Sequence, residues 1–274
     1  MGFFNRLFGK KKPPRDDAAV DLAFVLLSSE QLPSAEEIVR CYRQIDPGGD
    51  DICESEGDGD KSSSDEVLLL PFESKETAFV ALMPVAVPNG EAEEGAQFSV
   101  SSLGGRWTLP QHCAHLLVTL PSAGRLSPVE RLSRFTSLLA AVVQASDCVG
   151  VYWGNAGATH EPEFFISAAR EVGVVPRIML WTGVSIAQEK DGRHSLLSLG
   201  MKQLDLPDLL LVVSESSRSS AIETFFDLLA YTANRGEPLP EGDTVGRTAE
   251  EKLPVHYVPS PVDSSKKVWR VEVA

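Results

Sequence analysis

A unit made of a short apolar strand, a loop and a capped helix recurs three times in the chain and restricts the folds that it can adopt. The apolar runs of strand length cover residues 21–27, 116–120 and 209–213. After each run, a Ser is followed three residues later by a Glu, which is the capping-box pattern of a helix start. These helix starts are Ser34, Ser127 and Ser220. Strands that alternate with amphipathic helices predict a sheet with helices packed against it.

Further strand signals complete the predicted sheet. Residues 67–70 and 78–83 are predicted to form a hairpin, because both runs are apolar and turn-like residues lie between them. Other expected strands lie at residues 149–153, 178–187 and 268–273. Hairpins and helical crossovers occur together in this pattern. We therefore predict an α+β fold that has a mixed β-sheet with helices on one face, arranged as two ferredoxin-like halves.

The expected organisation has three parts. Residues 1–15 form a basic amphipathic leader, residues 16–110 an N-terminal α+β half, and residues 111–274 a C-terminal α+β half. The N-terminal half contains an acidic loop at residues 46–65, with eight acidic residues in twenty. We interpret it as a solvated loop, because its alternating acids lack the glycine and the closing Glu of a calcium-binding loop.

The leader combines an apolar face with basic flanks. The apolar side chains at helical spacing are Phe3, Phe4, Leu7 and Phe8, and the basic ones include Arg6, Lys10, Lys11 and Lys12. Residues 1–15 hold five basic residues and no acid, whereas the rest of the chain holds 20 basic and 39 acidic residues. We expect residues 1–12 to contact an anionic membrane surface or a protein partner. Arg6 stands where a myristoylation motif requires Ser or Thr, so no lipid anchor is predicted.

Charge and cysteine content exclude several classes of protein. The net charge is -14, and because an acidic body repels phosphates, no nucleic acid partner is expected. No apolar run reaches the roughly 18 residues of a membrane span, and the N-terminus lacks a signal-peptide core, which predicts a cytoplasmic protein. The four cysteines form no CxxC pair, so we expect no disulfide framework, no metal site and no cofactor.

The stretch VGVYWGNAGATH, residues 149–160, is the most site-like passage of the chain. An apolar strand runs into a loop with two glycines before a helix start, as in a phosphate-binding loop. No Lys accompanies these glycines, and Glu161 and Glu163 stand where an anion would bind, so a strand-to-helix junction is the favoured interpretation. A small-ligand cleft at this junction would be lined by Trp153, Asn155, His160 and Glu163.

Four segments of the C-terminal half carry a pattern of strand ends and turns. In order along the chain they are VYWGNAGATHEPEFF, IMLWTGVSI, SLLSLGMKQLDLPDL and GEPLPEGDTVG. Over roughly the last 130 residues this pattern resembles the bacterial family called domain of unknown function 4261. The corresponding positions are Trp153, Gly154, Trp181, Gly200, Pro207, Asp243 and Gly246. The resemblance implies a bacterial cytoplasmic protein, and it brings no assigned activity and no catalytic residues.

Two functional hypotheses follow. The first is a non-enzymatic binding or scaffold module whose acidic body contacts a protein partner and whose leader tethers it at the inner face of the membrane. The alternative is an uncharacterised enzyme or small-ligand binder that uses a cleft near Trp153 and His160. We favour the first, because no Ser lies in a GxSxG motif and no Cys begins a helix in a basic environment, so no catalytic residue is identified.

Overall fold

The computed structural model describes residues 19–53, 66–122, 126–246 and 251–274. The predicted leader and residues 54–65 of the acidic loop lie outside these described residues. The α-helices are α1 (Ala35–Ile45), α2 (Glu91–Ala96), α3 (Pro128–Gln144), α4 (Pro162–Arg170), α5 (Val174–Trp181) and α6 (Ala221–Arg235). The strands are β1 (Ala19–Leu27), β2 (Val67–Pro71), β3 (Thr77–Met83), β4 (Ala114–Ser122), β5 (Cys148–Trp153), β6 (Ala158–His160), β7 (Gly183–Gln188), β8 (His194–Leu199), β9 (Leu209–Val213), β10 (Thr244–Val245), β11 (Leu253–Pro254), β12 (His256–Pro259) and β13 (Lys267–Val273).

The first sheet is antiparallel and has the strand order β2-β3-β4-β1-β5-β6. Its strands β3-β4-β1-β5, with α1 and α3 in the connections, have the order of a ferredoxin-like unit. The helices α1 and α3 pack on each other, and α3 lies across β1, β4 and β5, so one face of the sheet is covered. The sheet extends from residue 19 to residue 160. It therefore continues across residue 110, where the sequence predicted a division into halves.

The second sheet is mixed and has the order β12-β13-β9-β8-β7. Strands β9 and β13 run parallel because α6 carries the chain back between them, and the other neighbours are antiparallel. Helix α6 packs on β9, and α5 packs on α6. The predicted α+β fold with a mixed sheet is confirmed. Because β9 and β13 are parallel, the second sheet does not repeat the ferredoxin-like arrangement of the first sheet, whose strands are all antiparallel.

The helix starts at Ser34 and Ser127 are confirmed, because each Ser side chain accepts the backbone N–H of the Glu three residues later. At Ser127 the capping box is reciprocal, since the Glu130 carboxylate also accepts the Ser127 backbone N–H. Ser220 precedes α6 but makes no cap hydrogen bond. Its hydroxyl donates to the Ser217 carbonyl, because a 3-10 turn already leads into this helix.

The strand predicted at residues 178–187 is wrong in its first part. Residues 174–181 form α5, and β7 begins only at Gly183. The apolar run IMLW fits a buried helix as well as a buried strand, and apolarity alone does not separate the two. Pro176 lies in the first turn of α5, where proline is tolerated. The helix buries Trp181 completely in the core between the two sheets.

Both sheets contribute to one hydrophobic core, in which Trp153 and Trp181 are among the largest buried side chains. The backbones of the two sheets come into contact at Gly200, whose φ of 110° lies in the left-handed region. A Cβ atom at this position would lie 2.9 Å from the Ala156 Cα and 3.0 Å from the carbonyl oxygens of Asn155 and Trp181. The turn after β8 therefore packs directly on the turn between β5 and β6, and glycine is required there.

We expect Gly200→Ala to lower the free energy of unfolding by about 2–5 kcal/mol, because a methyl group would meet main-chain atoms in addition to the cost of a positive φ. Gly192→Ala is the matched control, since its φ is 88° and nothing lies within 4 Å of a Cβ there. The control should cost about 1–2 kcal/mol, which is the conformational cost alone. Urea unfolding followed by far-UV circular dichroism measures both, and equal losses would contradict a close backbone contact.

Candidate functional site

The four residues predicted to line a ligand cleft do not converge on one concavity. Trp153 is 1% exposed and His160 is fully buried, whereas Asn155 and Glu163 lie at the surface. Glu163 occupies the first turn of α4, as expected for an acid at a helix start. Asn155 borders a polar cleft, and Trp153 reaches the wall of that cleft through a hydrogen bond to Gln203.

His160 lies in a saturated hydrogen-bond network. Its Nε2 donates to the Leu180 carbonyl at 3.0 Å, so its Nδ1 accepts the Ser99 hydroxyl at 2.7 Å. Ser99 accepts the Ser101 hydroxyl at 2.8 Å, and Ser101 accepts the Glu161 backbone N–H at 3.2 Å. Burial lowers the pKa of His160 to about 4, and the ring is therefore neutral at pH 7.

The pair formed by Ser99 and His160 has a structural role. A Ser hydroxyl bonded to a His ring nitrogen is also the arrangement of an activated nucleophile. Here, however, both residues are fully buried, and the second ring nitrogen of His160 bonds a main-chain carbonyl, where a catalytic triad has a carboxylate. The network ties residues 84–113, which connect β3 to β4, to β6 and to the end of α5.

A polar cleft of about 360 Å³ opens where the two sheets meet, and we call it the junction cleft. Strand β1, helix α3, the turn between β5 and β6, and the turn after β8 each contribute to its wall. Its polar lining consists of Asp21, Arg131, Asn155, Lys202, Gln203 and Asp205. Because these positions are far apart in sequence, the cleft exists only when both sheets are assembled.

Gln203 forms the wall between the junction cleft and the core. Its side-chain nitrogen donates to the Trp181 carbonyl at 2.7 Å and to the Gly200 carbonyl at 2.9 Å. Its side-chain oxygen accepts the indole N–H of Trp153 at 2.9 Å. Both ends of the amide are thus engaged with the core, so this wall is fixed in one orientation.

Asp21 and Arg131 form an ion pair in the lining of the cleft. Arg131 Nη1 donates to Asp21 Oδ1, and Arg131 Nη2 donates to the Gln203 carbonyl at 2.9 Å. The side chains of Asp21 and Arg131 are 2% and 12% exposed. Burial raises the pKa of Asp21, and the guanidinium of Arg131 opposes this rise. The second carboxylate oxygen of Asp21, Oδ2, is buried and has no hydrogen-bond partner.

Two larger concavities lack such a group. One, of about 490 Å³, lies between α1 and β2, and the other, of about 560 Å³, lies between the start of α3 and the end of α6. Among the described residues that line these two, none has a buried side-chain polar atom without a partner. A third concavity, of about 370 Å³ beside α2, does have one, but it is the neutral hydroxyl of Ser102. A buried carboxylate oxygen without a partner is uncommon in native proteins and calls for an explanation. We therefore take the junction cleft as the candidate functional site.

The sequence pattern does not reveal the main polar groups of this cleft. Asp21 stands out only as the first residue of a predicted strand, and no motif singles out Arg131 or Gln203. A signal existed at Asp21, which alternates with the core residues Ala23 and Val25 and therefore points inward. A charged residue at an inward position of a buried strand requires a partner. Nothing local marks Arg131 or Gln203 as that partner.

The predicted docking residues lie outside the described part of the chain. They are Phe3, Phe4, Leu7, Phe8, Lys10, Lys11 and Lys12. Across the described residues, no group of three or more His, Cys, Asp or Glu side chains is arranged to hold a metal ion. No helix in the same residues has both the length and the apolar character needed to cross a bilayer.

The model of a family described as a domain of unknown function, DUF4261, matches residues 197–272. This match confirms the predicted family resemblance for the C-terminal part of the chain. It covers most of the second sheet and includes Gly200 and Gln203, whereas the two quoted segments that contain Trp153 and Trp181 lie upstream of it. No curated protein and no solved structure matches the chain significantly.

The buried ring of His160 should make stability depend on pH. Its pKa falls from an ordinary value of 6.5 to about 4 on folding, so the unfolded chain binds the proton more readily between these values. The neutral ring contributes its full share of the free energy of unfolding above the unfolded pKa of 6.5. This share is lost as the pH falls toward the folded pKa of about 4. This loss amounts to about 2 kcal/mol between pH 7.5 and pH 5.

Urea unfolding at both pH values tests this dependence. His160→Gln removes the titrating ring. Between pH 7.5 and pH 5, the free energy of unfolding of this variant should therefore fall by about 2 kcal/mol less than that of the wild type. His256→Gln is the matched control, because it removes an imidazole that is 58% exposed, so the dependence caused by burial of His160 should persist in this variant. An unchanged dependence in His160→Gln would contradict a neutral, buried His160.

Proposed function

We propose that the protein is a non-enzymatic binding module that takes a small polar ligand in the junction cleft. The observation that supports this function is the unpartnered Oδ2 of Asp21. A buried acceptor without a hydrogen bond costs about 1–3 kcal/mol, and more when it is charged. A ligand that enters the cleft and donates an N–H or O–H to this oxygen recovers that cost.

The remaining lining indicates the chemistry of the ligand. The guanidinium of Arg131 is already engaged by Asp21 and by the Gln203 carbonyl, so it orients the carboxylate and leaves Oδ2 as the free acceptor. At the surface, Lys202 contributes a positive charge and Asn155 an amide. These groups suit a small molecule with a hydrogen-bond donor at one end and an anionic or acceptor group at the other.

Two observations favour binding over catalysis. The described residues that line the junction cleft include no Ser, Thr, Cys or His, so this lining offers no hydroxyl or thiol nucleophile and no histidine base. The hydrogen-bonded Ser99 and His160 are fully buried away from it. Asp21 is held by Arg131 as an ion pair, an arrangement that suits recognition of a donor group.

Asp21→Asn tests this site, because the amide keeps the shape of the side chain and removes the charged acceptor. A panel of free amino acids, polyols and nucleosides is screened by thermal shift on the wild type, and binding of a hit is measured by calorimetry. A ligand present at about 100 times its dissociation constant should stabilise the wild type by roughly 2.7 kcal/mol. We expect Asp21→Asn to bind the same compound at least about tenfold more weakly.

Glu36→Gln is the matched control, since it makes the same carboxylate-to-amide change in the concavity beside α1. This variant should bind like the wild type. Equal affinity of Asp21→Asn and the wild type for every hit would contradict the proposed site. A panel in which no compound raises the melting temperature would also count against it.

The basic leader supports a second proposal, that the module is tethered at the anionic inner face of a membrane or on a protein partner. The support lies in the sequence, where Phe3, Phe4, Leu7 and Phe8 stand at helical spacing in a segment with five basic residues and no acid. Apolar insertion together with attraction between Lys or Arg and anionic lipid is the usual basis of such binding. The acidic body would face away from the lipid.

Cosedimentation with vesicles of phosphatidylserine and phosphatidylcholine tests the tether. The full chain should pellet with anionic vesicles, less at high salt and not with neutral vesicles, because the attraction is partly electrostatic. Deletion of residues 1–12 should abolish pelleting, and Lys10→Glu with Lys11→Glu and Lys12→Glu should reduce it. Pelleting that survives the deletion would contradict the tether, as would a full chain that never pellets.

A further inference from the structure

The charges that line the junction cleft are balanced. Its described lining contains two acidic residues, Asp21 and Asp205, and two basic residues, Arg131 and Lys202. A ligand with a net charge would upset this balance. A purely anionic ligand would also be repelled by a chain whose net charge is -14. The cleft therefore favours a ligand that carries no net charge.

The buried end of the cleft suits a cationic group. Asp21 forms an ion pair with Arg131, and its Oδ2 is buried without a hydrogen-bond partner. When donor and acceptor are both ionised, Coulomb attraction adds to the hydrogen bond, so an ammonium group suits this carboxylate better than a hydroxyl. An ammonium group alone, however, would place a second positive charge beside the Arg131 guanidinium. The ligand must therefore bring a negative group of its own.

The exposed end of the cleft supplies partners for that negative group. Lys202 and Asn155 are both exposed and line the same cleft. The ammonium of Lys202 is a point charge on a flexible stem, and the amide of Asn155 donates an N–H, so both suit a carboxylate. Arg131 does not take this role, because its guanidinium is held by Asp21 and by the Gln203 carbonyl.

The size and the apolar lining of the cleft favour a small aliphatic ligand. Its volume of about 360 Å³ is near the lower end of the range of about 300–1,000 Å³ that is usual for ligand sites. Among the described lining residues, Val20 is the only one with an apolar side chain, and none is aromatic. A nucleoside would find no ring here on which its base could stack.

From this arrangement we propose that the ligand of the junction cleft is a free amino acid, bound as a zwitterion. This inference rests on the proposed function and specifies the orientation of the ligand. Its ammonium group donates to Asp21 Oδ2 at the buried end, and its carboxylate accepts from Lys202 and Asn155 at the exposed end. Each charge of the ligand then has a partner, and no unpaired charge is buried.

Ligands that lack one of the two charges test the two ends separately. The standard amino acids are screened by thermal shift on the full chain, and binding of each hit is measured by calorimetry. Each hit is then compared with the acid that lacks its amino group and with the amine that lacks its carboxylate. For alanine these compounds are propionate and ethylamine. Both should bind at least about tenfold more weakly, because each has lost one charged hydrogen bond. An acid or amine that binds as tightly as its parent overturns the proposal.

Substitution of Lys202 tests the carboxylate end. Lys202→Gln removes a positive charge from an exposed residue and leaves the ion pair of Asp21 and Arg131 in place. It should weaken binding of the amino acid by about fivefold to tenfold, but it should not weaken binding of the matching amine. Because Lys202 is exposed, this variant remains informative even if Asp21→Asn does not fold.

Lys190→Gln is the matched control for Lys202→Gln. Lys190 is an exposed lysine in the turn between β7 and β8, and it is not part of the described lining of the cleft. This variant should bind the amino acid and the amine like the wild type. If Lys202→Gln also binds the amino acid like the wild type, the proposed orientation is overturned.

Asp21→Asn separates this inference from the proposed function. Weaker binding of the amino acid and of the amine, with unchanged binding of the acid, supports an ammonium group at Asp21. If a polyol or a nucleoside binds in an Asp21-dependent manner and no amino acid binds, the proposed function stands and the zwitterion is overturned. If amino acids bind equally to Asp21→Asn and to the wild type, or if no compound binds, both proposals fail.

Discussion

The contact between the turn after β8 and the turn between β5 and β6 determines how the two sheets are joined. At Gly183 a Cβ atom would lie 2.6 Å from the Ala156 carbonyl oxygen, and at Gly200 it would meet main-chain atoms of both Asn155 and Trp181. No side chain separates the two backbones at these points. Because the two backbones lie so close together, the Gln203 side chain can bond both the Trp181 carbonyl and the Trp153 indole. The junction cleft opens at the edge of the same contact.

His160 and Asp21 are both buried polar side chains, and they differ in whether all of their hydrogen-bonding atoms have partners. Every hydrogen-bonding atom of the His160 ring has a partner, and its neighbours Ser99 and Ser101 extend the chain of bonds to the Glu161 backbone. Such a saturated network rigidifies a core and leaves nothing to offer a ligand. Asp21 is buried to a similar degree, yet one of its oxygens has no partner. The residue that looked most like a site in sequence is structural, and an inconspicuous one lines the cleft.

Local signals predicted much of the secondary structure. The caps at Ser34 and Ser127 and the apolar runs of β1, β4, β5 and β9 depend on neighbouring residues only, and they were predicted correctly. The apolar run at residues 178–181 was misassigned, because a buried helix and a buried strand present the same composition. Pairing between distant strands, such as β1 with β4, was not encoded in any local pattern. The division near residue 110 therefore missed that one sheet spans it.

The candidate site was less predictable for the same reason. The sequence singled out Trp153 and Asn155, which lie at or beside the junction cleft, because the two-glycine loop marks the end of a strand. Asp21, Arg131 and Gln203 belong to a strand, a helix and a turn that are more than sixty residues apart from one another. Only the tertiary fold brings them together, and a single sequence carries no signal for that convergence.

The position of β13 also has a consequence for synthesis of the chain. This strand lies inside the second sheet, between β12 and β9, although it is the last strand along the chain. A ribosome therefore delivers β7, β8 and β9 before the strand that covers the open edge of β9 exists. Until residue 273 emerges, the unpaired backbone of the LLLVV strand is exposed to other nascent chains. The second sheet is thus completed late, because the whole of α6 is synthesised after β9 and before β13.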